Sequence, residues 1–315
     1  AGITIPKNSS RAITSPSGTA DTMEVIAPVT FSPRQIQRIV EKVGGCIVWG
    51  GHLGLAPADD IIIQVEEPLA FESFDKIIVS IMAKKIASGS NHVILDIPIG
   101  PDMKIRHIKD AEIIEHKFLF LAKKFGIKIV VDVSEASQPA GRGIGPVLEV
   151  RDVFQVLEQH SDRPLLLEKK ALRLSAKLLD LCFRDMKSNI YAKSGESTAL
   201  EILTSGKALT KMREIIKAQG GDPDCSASHL VPGKYQYEIK SIKHGRVVSL
   251  NNRDVSVVAR ILGSPHDKKA GIYLERKLED EIDKDDILCT LYSSDKWRLQ
   301  EAVETLKHVP IYKVE

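Results

Sequence analysis

The sequence predicts an α/β protein, a mostly parallel sheet covered by helices, followed by a smaller C-terminal α+β domain. Three observations carry this reading. Short apolar runs rich in β-branched residues ("CIVWG", "HVILDIPIG", "IKIVVDV") recur between residues 46 and 133. Segments with helical spacing of apolar residues separate them, and continuous apolar strands alternating with helices imply parallel strands covered on both faces. Beyond "DPDCSASHLVPGK" (222–234) the pattern changes to short strands with fewer helices.

Taken in order, "AGITI" (1–5) reads as a strand and residues 20–27 as a helix. Ser32-Pro33 is a helix start, with Ser as N-cap and Pro in the first helical position. Gly44-Gly45 is its stop. Residues 46–50 read as a buried strand, 72–89 as a helix ending on Gly89, 92–100 as a strand, 108–125 as an amphipathic helix and 127–133 as a further strand. After a Gly-rich loop, 146–159 is helical, and 164–184 and 197–219 read as two more helices. The expected organisation is an α/β catalytic domain over 1–221, a linker over 222–234 and an α+β domain over 235–315. That last domain holds strands at "YQYEIKSI", "GRVVSL", "GIYLERK" and "DILCTLY" and a final helix near 295–307.

Composition narrows the function. Lys+Arg 44 against Asp+Glu 42 gives a net charge of +2, too balanced for a nucleic-acid surface. The four cysteines are scattered without a C-x-x-C pair, so neither a zinc site nor a disulfide framework is expected, and the histidines lack metal-ligand spacing. No apolar run is long enough to span a membrane and no signal pattern opens the chain, so a cytoplasmic location is expected.

The most pointed segment is "SSRAITSPSGTAD", Ser9 to Asp21. Hydroxyls donate to phosphate oxygens, and Gly18 lets backbone approach a ligand closely. The stretch follows a predicted strand, where ligand loops of α/β sheets lie. On composition alone a plain surface loop is the favoured reading, since Ser, Gly and Pro make loops anyway. Glu72, Lys76, Ser80 and Lys84 repeat every four residues and form a row about 18 Å long on one helix face. Such a row suits a ligand, and it also suits a solvated face with Glu–Lys pairs. "GHLGLAPADD" and "SQPAGRGIGP" are two more loops in site positions. Neither G-x-S-x-G nor a Walker loop is present.

Five segments in order, "SSRAITSPSGTADTMEV", "LAPADD", "VSIMAKKIASG", "SQPAGRGIGPVLEVRD" and "SGKALTKMREIIKAQGGDPD", resemble the thymidine phosphorylase family of nucleoside phosphorylases. The form of the first is most similar to the subgroup holding archaeal AMP phosphorylases and bacterial thymidine phosphorylase-like proteins. The resemblance implies phosphorolysis: phosphate attacks C1′ of the pentose and displaces the base, with thymidine as the first substrate expected and AMP as the alternative. It implies no metal or organic cofactor, inorganic phosphate being a substrate. The partners implied are a nucleoside or nucleotide and phosphate, and a homodimer or other homo-oligomer. By the same resemblance Ser9 and Thr19 match phosphate-binding hydroxyls. Ser10, Arg11, Ala12, Ile13, Thr14 and Ser15 match the nucleotide-binding loop, with Ile13 an apolar contact to the base. Ser80 and Lys84 match base-binding groups, Lys104 a ligand-binding lysine, and Glu72 an acidic proton donor that is an Asp elsewhere in the subgroup. Residues 57–87 would belong to a small helical lobe.

The sequence departs from the family at Gln64 and Val65, where thymidine phosphorylases carry a base-binding Arg. The chain also starts after the position of the family's N-terminal helical segment and its Gly-rich phosphate loop. It is therefore expected to be the C-terminal portion of a longer phosphorylase, weakly active or inactive by itself, with the apolar side of 72–89 (Ile77, Ile78, Ile81) exposed and seeking a partner. A non-catalytic binding or assembly module on the same fold is the competing reading. A biotinyl or lipoyl carrier role for the last 80 residues is not expected, because no Met-Lys hairpin occurs there.

Overall fold

The computed structural model describes residues 1–13, 15–54, 61, 73–185 and 194–315. Thr14, Gln64, Val65 and Glu72 lie outside the described residues, as does most of the stretch assigned to a helical lobe before residue 73.

Two parallel ladders form the α/β part. Strand β1 (Ile5–Ser9) pairs with β2 (Gly45–Trp49), with Ser9 opposite Trp49. Strand β3 (His92–Ile99) pairs with β4 (Lys128–Glu135). The α/β reading holds, with a correction to its first strand. The ladder runs over IPKNS rather than AGITI, so it delivers the chain directly into the hydroxyl-rich stretch. Between them lie α1 (Thr19–Met23), shorter than the helix read over 20–27, and α2 (Pro33–Val43). Ser32 and Gln35 form a capping box at the start of α2, and its chain end is Gly44.

Helix α3 (Phe74–Ala87) packs on α4 (Ile108–Lys124) and shares one apolar cluster with β3 and β4. Ile78 and Met82 are buried there with Val93, Ile97, Ile114 and Phe118, and Ile81 packs against the same cluster. This corrects the expectation of an exposed apolar side: the helix already covers Ile78 within the chain, and Phe74, Val79 and Ile86 are its exposed large apolar residues. Helix α5 (Pro146–Leu157) follows a two-residue strand β5 (Gly143–Ile144). Helix α6 (Leu165–Phe183) lies against β4, where Arg173 and Lys177 both reach the buried carboxylate of Asp132, at 2.9 and 2.5 Å. The single helix read over 197–219 is two, α7 (Gly195–Thr204) and α8 (Lys207–Ala218). Gly206 has φ +78 and starts the second at an angle that L-residues rarely adopt.

In the C-terminal quarter, β6 (Tyr235–Lys240), β8 (Gly271–Leu274) and β10 (Ile287–Ser293) join β5 in an antiparallel four-stranded sheet. A second sheet holds β7 (Gly245–Leu250), β9 (Glu281–Ile282) and β11 (Tyr312–Val314). Helices α9 (Asn252–Leu262) and α10 (Lys296–Thr305) cover them around Leu250, Val258, Leu262, Ile272, Leu274 and Leu291. Strand β5 is contributed by the Gly-rich loop of the first part. Tyr273 and Tyr292 in turn pack onto the core built by Met23, Val147, Leu148 and Phe154. The two parts therefore share a core directly beneath α1. Among the described residues no helix is long and apolar enough to cross a membrane, and no His/Cys/Asp/Glu group could hold a metal ion.

Candidate functional site

The loop from Ser9 to Thr19 closes on itself. Ser10 O accepts from Ala20 N–H at 3.3 Å. Gly18 lies so close to the incoming strand that a Cβ there would meet Ala12 N and Ser10 O at 2.6 and 2.7 Å. Only glycine permits that approach. The buried carboxylate of Asp21 ties the two halves together. Its Oδ2 accepts from Ala12 N–H at 2.7 Å and Gly18 N–H at 3.2 Å, while Oδ1 accepts from Arg11 and Lys268, each at 3.0 Å. Burial pushes Asp21 upward, but the Ala12 N–H and the Lys268 ammonium outweigh it and hold the carboxyl below its ordinary value.

Glu24 extends the network. Arg11 grips it in a two-pronged arrangement, both contacts at 2.6 Å, and Lys268 adds a third at 3.0 Å. The Arg11 hydrogen bond holds the Glu24 carboxyl down to about 2, against the opposing effect of burial. The guanidinium carbon of Arg11 also stands 4.9 Å from the centre of the Trp49 ring. Arg11, one of the residues assigned to the nucleotide, thus has its guanidinium turned into the protein, where it shapes the loop.

The result is a backbone arch whose two ends, Ser9–Ser10 and Gly18–Thr19, are brought together. Ser10, Ser15 and Thr19 are exposed, Ser9 partly so, and the Ile13 side chain is half exposed. Helix α9 braces the arch from the other side, since Arg260 donates to Ile13 O at 3.1 Å. The same helix begins at Asn252, whose N–H donates to Asp102 in the loop carrying Lys104, at 3.1 Å. Eight residues separate Asn252 from Arg260, about 12 Å of helix. The exposed Lys104 loop and the Ile13 loop are therefore held at either end of one helix.

Ser80 and Lys84 lie on α3, both partly buried. The last turn of that helix approaches the strand leading into the arch. Ser88 lines a 270 Å³ depression with Pro6 and Asn8, and Lys85 is lowered by burial first and then by the nearby charge of Lys7. A separate apolar groove of about 400 Å³, lined by Ile3, Ile5, Leu167, Leu179 and Ile202 among others, carries no titratable side chain and no chemistry for a polar substrate.

Residues that the sequence reading left unassigned complete the arch: Ser17, Asp21, Thr22, Glu24, Glu149 and Lys268. The Gly-rich loop before α5 is fastened from two directions. Asp152 accepts from Arg142 N–H at 2.6 Å and Gly143 N–H at 2.7 Å. The Lys277 ammonium donates to Gly141 O at 2.8 Å and also to Pro139 O. Burial brings Lys277 down to about 8.

Comparison with known proteins agrees with this architecture. Residues 246–312 match the model of the pyrimidine nucleoside phosphorylase C-terminal domain. Along all 315 residues the chain is 42% identical to an AMP phosphorylase of Methanococcus aeolicus, covering 61% of that protein. It is 45% identical over 305 residues to an AMP phosphorylase of Thermofilum pendens, covering 97% of this chain and 57% of the relative. Over 292 residues it is 41% identical to a Methylococcus capsulatus protein named "Putative thymidine phosphorylase", covering 93% of this chain and 55% of the relative. The chain belongs to the thymidine phosphorylase family. Within that family it falls in the AMP phosphorylase subgroup, and it spans about three-fifths of the length of these relatives.

Proposed function

We propose that the protein takes part in the phosphorolysis of a nucleoside 5′-monophosphate of the AMP type. In this reading an oxygen of inorganic phosphate attacks C1′ of the ribose. The C1′–N bond breaks with its electron pair going to the base, which takes up a proton, and ribose 1,5-bisphosphate is formed. Ser9 and Thr19 supply hydroxyl donors to the phosphate. Ser10 to Ser15 line the nucleotide and Ile13 offers an apolar contact to the base. Lys104 supplies positive charge for the second anion, Ser80 and Lys84 contact the base, and Glu72 is the proton donor. Phosphate must be desolvated and held in line, and donors on an arch tied together by Asp21 suit that demand.

The observation that carries this reading is the Asp21-closed arch of Ser9–Thr19, in a chain whose similarity to AMP phosphorylases runs end to end. This reverses the order expected from sequence, where thymidine came first. Pyrimidine nucleosides remain the second reading, favoured by the matched C-terminal domain.

The test is phosphate-dependent release of free base from AMP, CMP, uridine and thymidine, followed chromatographically, with equilibrium binding of AMP and thymidine in parallel. AMP is expected to bind more tightly and to release base faster. Ser9→Ala and Thr19→Ala should each raise KM for phosphate. Tighter binding and faster turnover of thymidine would overturn the assignment of substrate.

A further inference from the structure

Glu149 projects from the first turn of α5 toward the base of the arch and is partly buried. One carboxylate oxygen accepts from Gly145 N–H at 3.1 Å, the other from Thr22 Oγ1 at 3.2 Å. Thr22 Oγ1 is in turn 2.8 Å from Ser17 Oγ and 3.1 Å from Gly18 O. A continuous chain of exchangeable protons thus runs from Glu149 through Thr22 to Ser17, and Ser17 is part of the arch itself.

We propose that Glu149 is a positioning residue of the anion site, setting through its own proton the direction in which the hydroxyls of Thr22 and Ser17 donate, so that anion binding takes up a proton. The proposal rests on the reading of Ser9–Thr19 as a phosphate loop. An ionised carboxylate only accepts. It draws the Thr22 hydroxyl proton inward, and the Thr22 oxygen then accepts from Ser17, so both hydroxyls donate into the protein. A protonated carboxyl reverses the chain. It donates to Thr22, Thr22 donates to Gly18 O, and the partly exposed Ser17 hydroxyl, no longer drawn to a carboxylate and left only a long 3.4 Å contact to Gly18 O, can turn to donate to a ligand. The charge acts in the same sense, since an ionised Glu149 repels an incoming dianion.

The surroundings keep this carboxyl close to the balance point. Burial raises it to about 7, opposed by the Gly145 N–H and the hydroxyls of Thr22 and Ser17, with Asp152 on its own helix raising it further. The charged groups on the elements packed around it are paired with one another. Asp21 and Glu24 face Arg11 and Lys268 on the arch side. Burial raises Asp152 in spite of the Gly143 and Arg142 N–H groups it accepts from and of the nearby cations of Arg151 and Lys277.

The experiment is titration calorimetry with inorganic sulfate, whose charge stays constant from pH 6 to 8, in two buffers of different ionisation enthalpy. For the wild-type chain, affinity is expected to fall by up to about tenfold per pH unit above pH 7, with proton uptake on binding. The amide of Glu149→Gln donates to Thr22 as the protonated acid would. This variant should retain at pH 8 the affinity that the wild type shows at pH 6, and take up no proton. If it fails to fold, Ser17→Ala provides the second arm, with weaker binding and a clearly shallower pH dependence expected, only the charge of Glu149 remaining to act. Ser9→Ala identifies the site. If Ser9→Ala removes binding while Glu149→Gln or Ser17→Ala keeps the wild-type slope, this proposal falls and the phosphate loop stands. Sulfate binding that is absent, or indifferent to Ser9→Ala, overturns the phosphate loop and this proposal with it.

Discussion

Asp21→Ala should cost more stability than any substitution of its partners. The Asp21 side chain is 3% exposed, whereas Arg11 and Lys268 retain 33% and 30%. Removing the carboxylate leaves the N–H groups of Ala12 and Gly18 without their acceptor, each hydrogen bond to a charged group being worth about 1.5–3 kcal/mol. It also removes the shared anion of two cations, although both can recover water. Together these give on the order of 3–5 kcal/mol, the range seen when one side of a buried ion pair is deleted. Lys268→Ala removes only one partly solvated partner and should cost about 1 kcal/mol. Urea unfolding followed by circular dichroism measures the difference. Tryptophan fluorescence reports the arch, because Trp49 carries the Arg11 guanidinium. The pH dependence has a definite sign. The folded-state pKa of Asp21 lies below the unfolded one, so its contribution is complete above the unfolded value of about 4 and is lost as pH falls through the folded value. The gap between Asp21→Ala and wild type should narrow as pH drops from 5 toward 3. A loss below 1 kcal/mol at pH 7, or a gap that widens in acid, would refute the assignment of Asp21 as the closure of the arch.

Other outcomes follow from the same contacts. Gly18→Ala should displace the strand at Ala12 and weaken anion binding by at least tenfold, because the neighbours of the new Cβ are backbone atoms that cannot swing away; calorimetry reads it. Lys277→Met should alter the pH profile of stability. The wild-type lysine sits at about 8 when folded, against about 10.4 unfolded, so the wild type gains on the order of 3 kcal/mol between pH 8 and 10.5. Urea melts of Lys277→Met should lack that rise, and an unchanged slope would place the ammonium in solvent. Burial raises the thiols of Cys46 and Cys289, Cys46 to about 11. Burial raises the Cys225 thiol too, but it alone among the four is partly exposed, so a thiol reagent should modify it first, and mass spectrometry of a brief exposure would show it. Equal labelling of Cys289 would mean that the C-terminal core opens readily.

Elements governed by local signals were legible in the sequence. Ser32, Pro33 and Gln35 mark the start of α2 within four residues of chain, and Gly44 its end. Helix α9 is a difference from the expected strands although its signals are local too: Asn251 accepts from Asp254 N–H as an N-cap, and Val255, Val258, Ala259 and Leu262 form its buried stripe. The flanking strands gave the segment the look of an all-strand run. The apolar residues of Ala1–Ile5 place the first strand too early. Those side chains line the groove against α6 and α7, and the ladder itself is built by backbone groups of the polar IPKNS segment. The hydroxyl arch was legible as a motif, but what shapes it was not. Lys268 reaches Asp21 across 247 residues and Thr22 reaches Glu149 across 127. Neither separation leaves a periodicity or spacing to read. Arg11 shows the converse, a residue type suited to phosphate whose charge is taken by two nearby carboxylates.

The brace that Arg260 and Lys268 place on the arch has a consequence for biosynthesis. Ribosomes deliver the chain from its N-terminus, so the loop beginning at Ser9 emerges with its main carboxylate, Asp21, lacking the Lys268 counter-ion for the whole of the next 247 residues. The parallel strand pair and the helices beneath can form during that interval, since domains tend to fold as they emerge. The arch cannot take its final shape until the C-terminal sheets have closed around Ile272 and Leu291. A chain stalled or clipped before about residue 270 would keep most of its helices and still present a slack loop, so binding competence would appear only as the last quarter of the polypeptide folds.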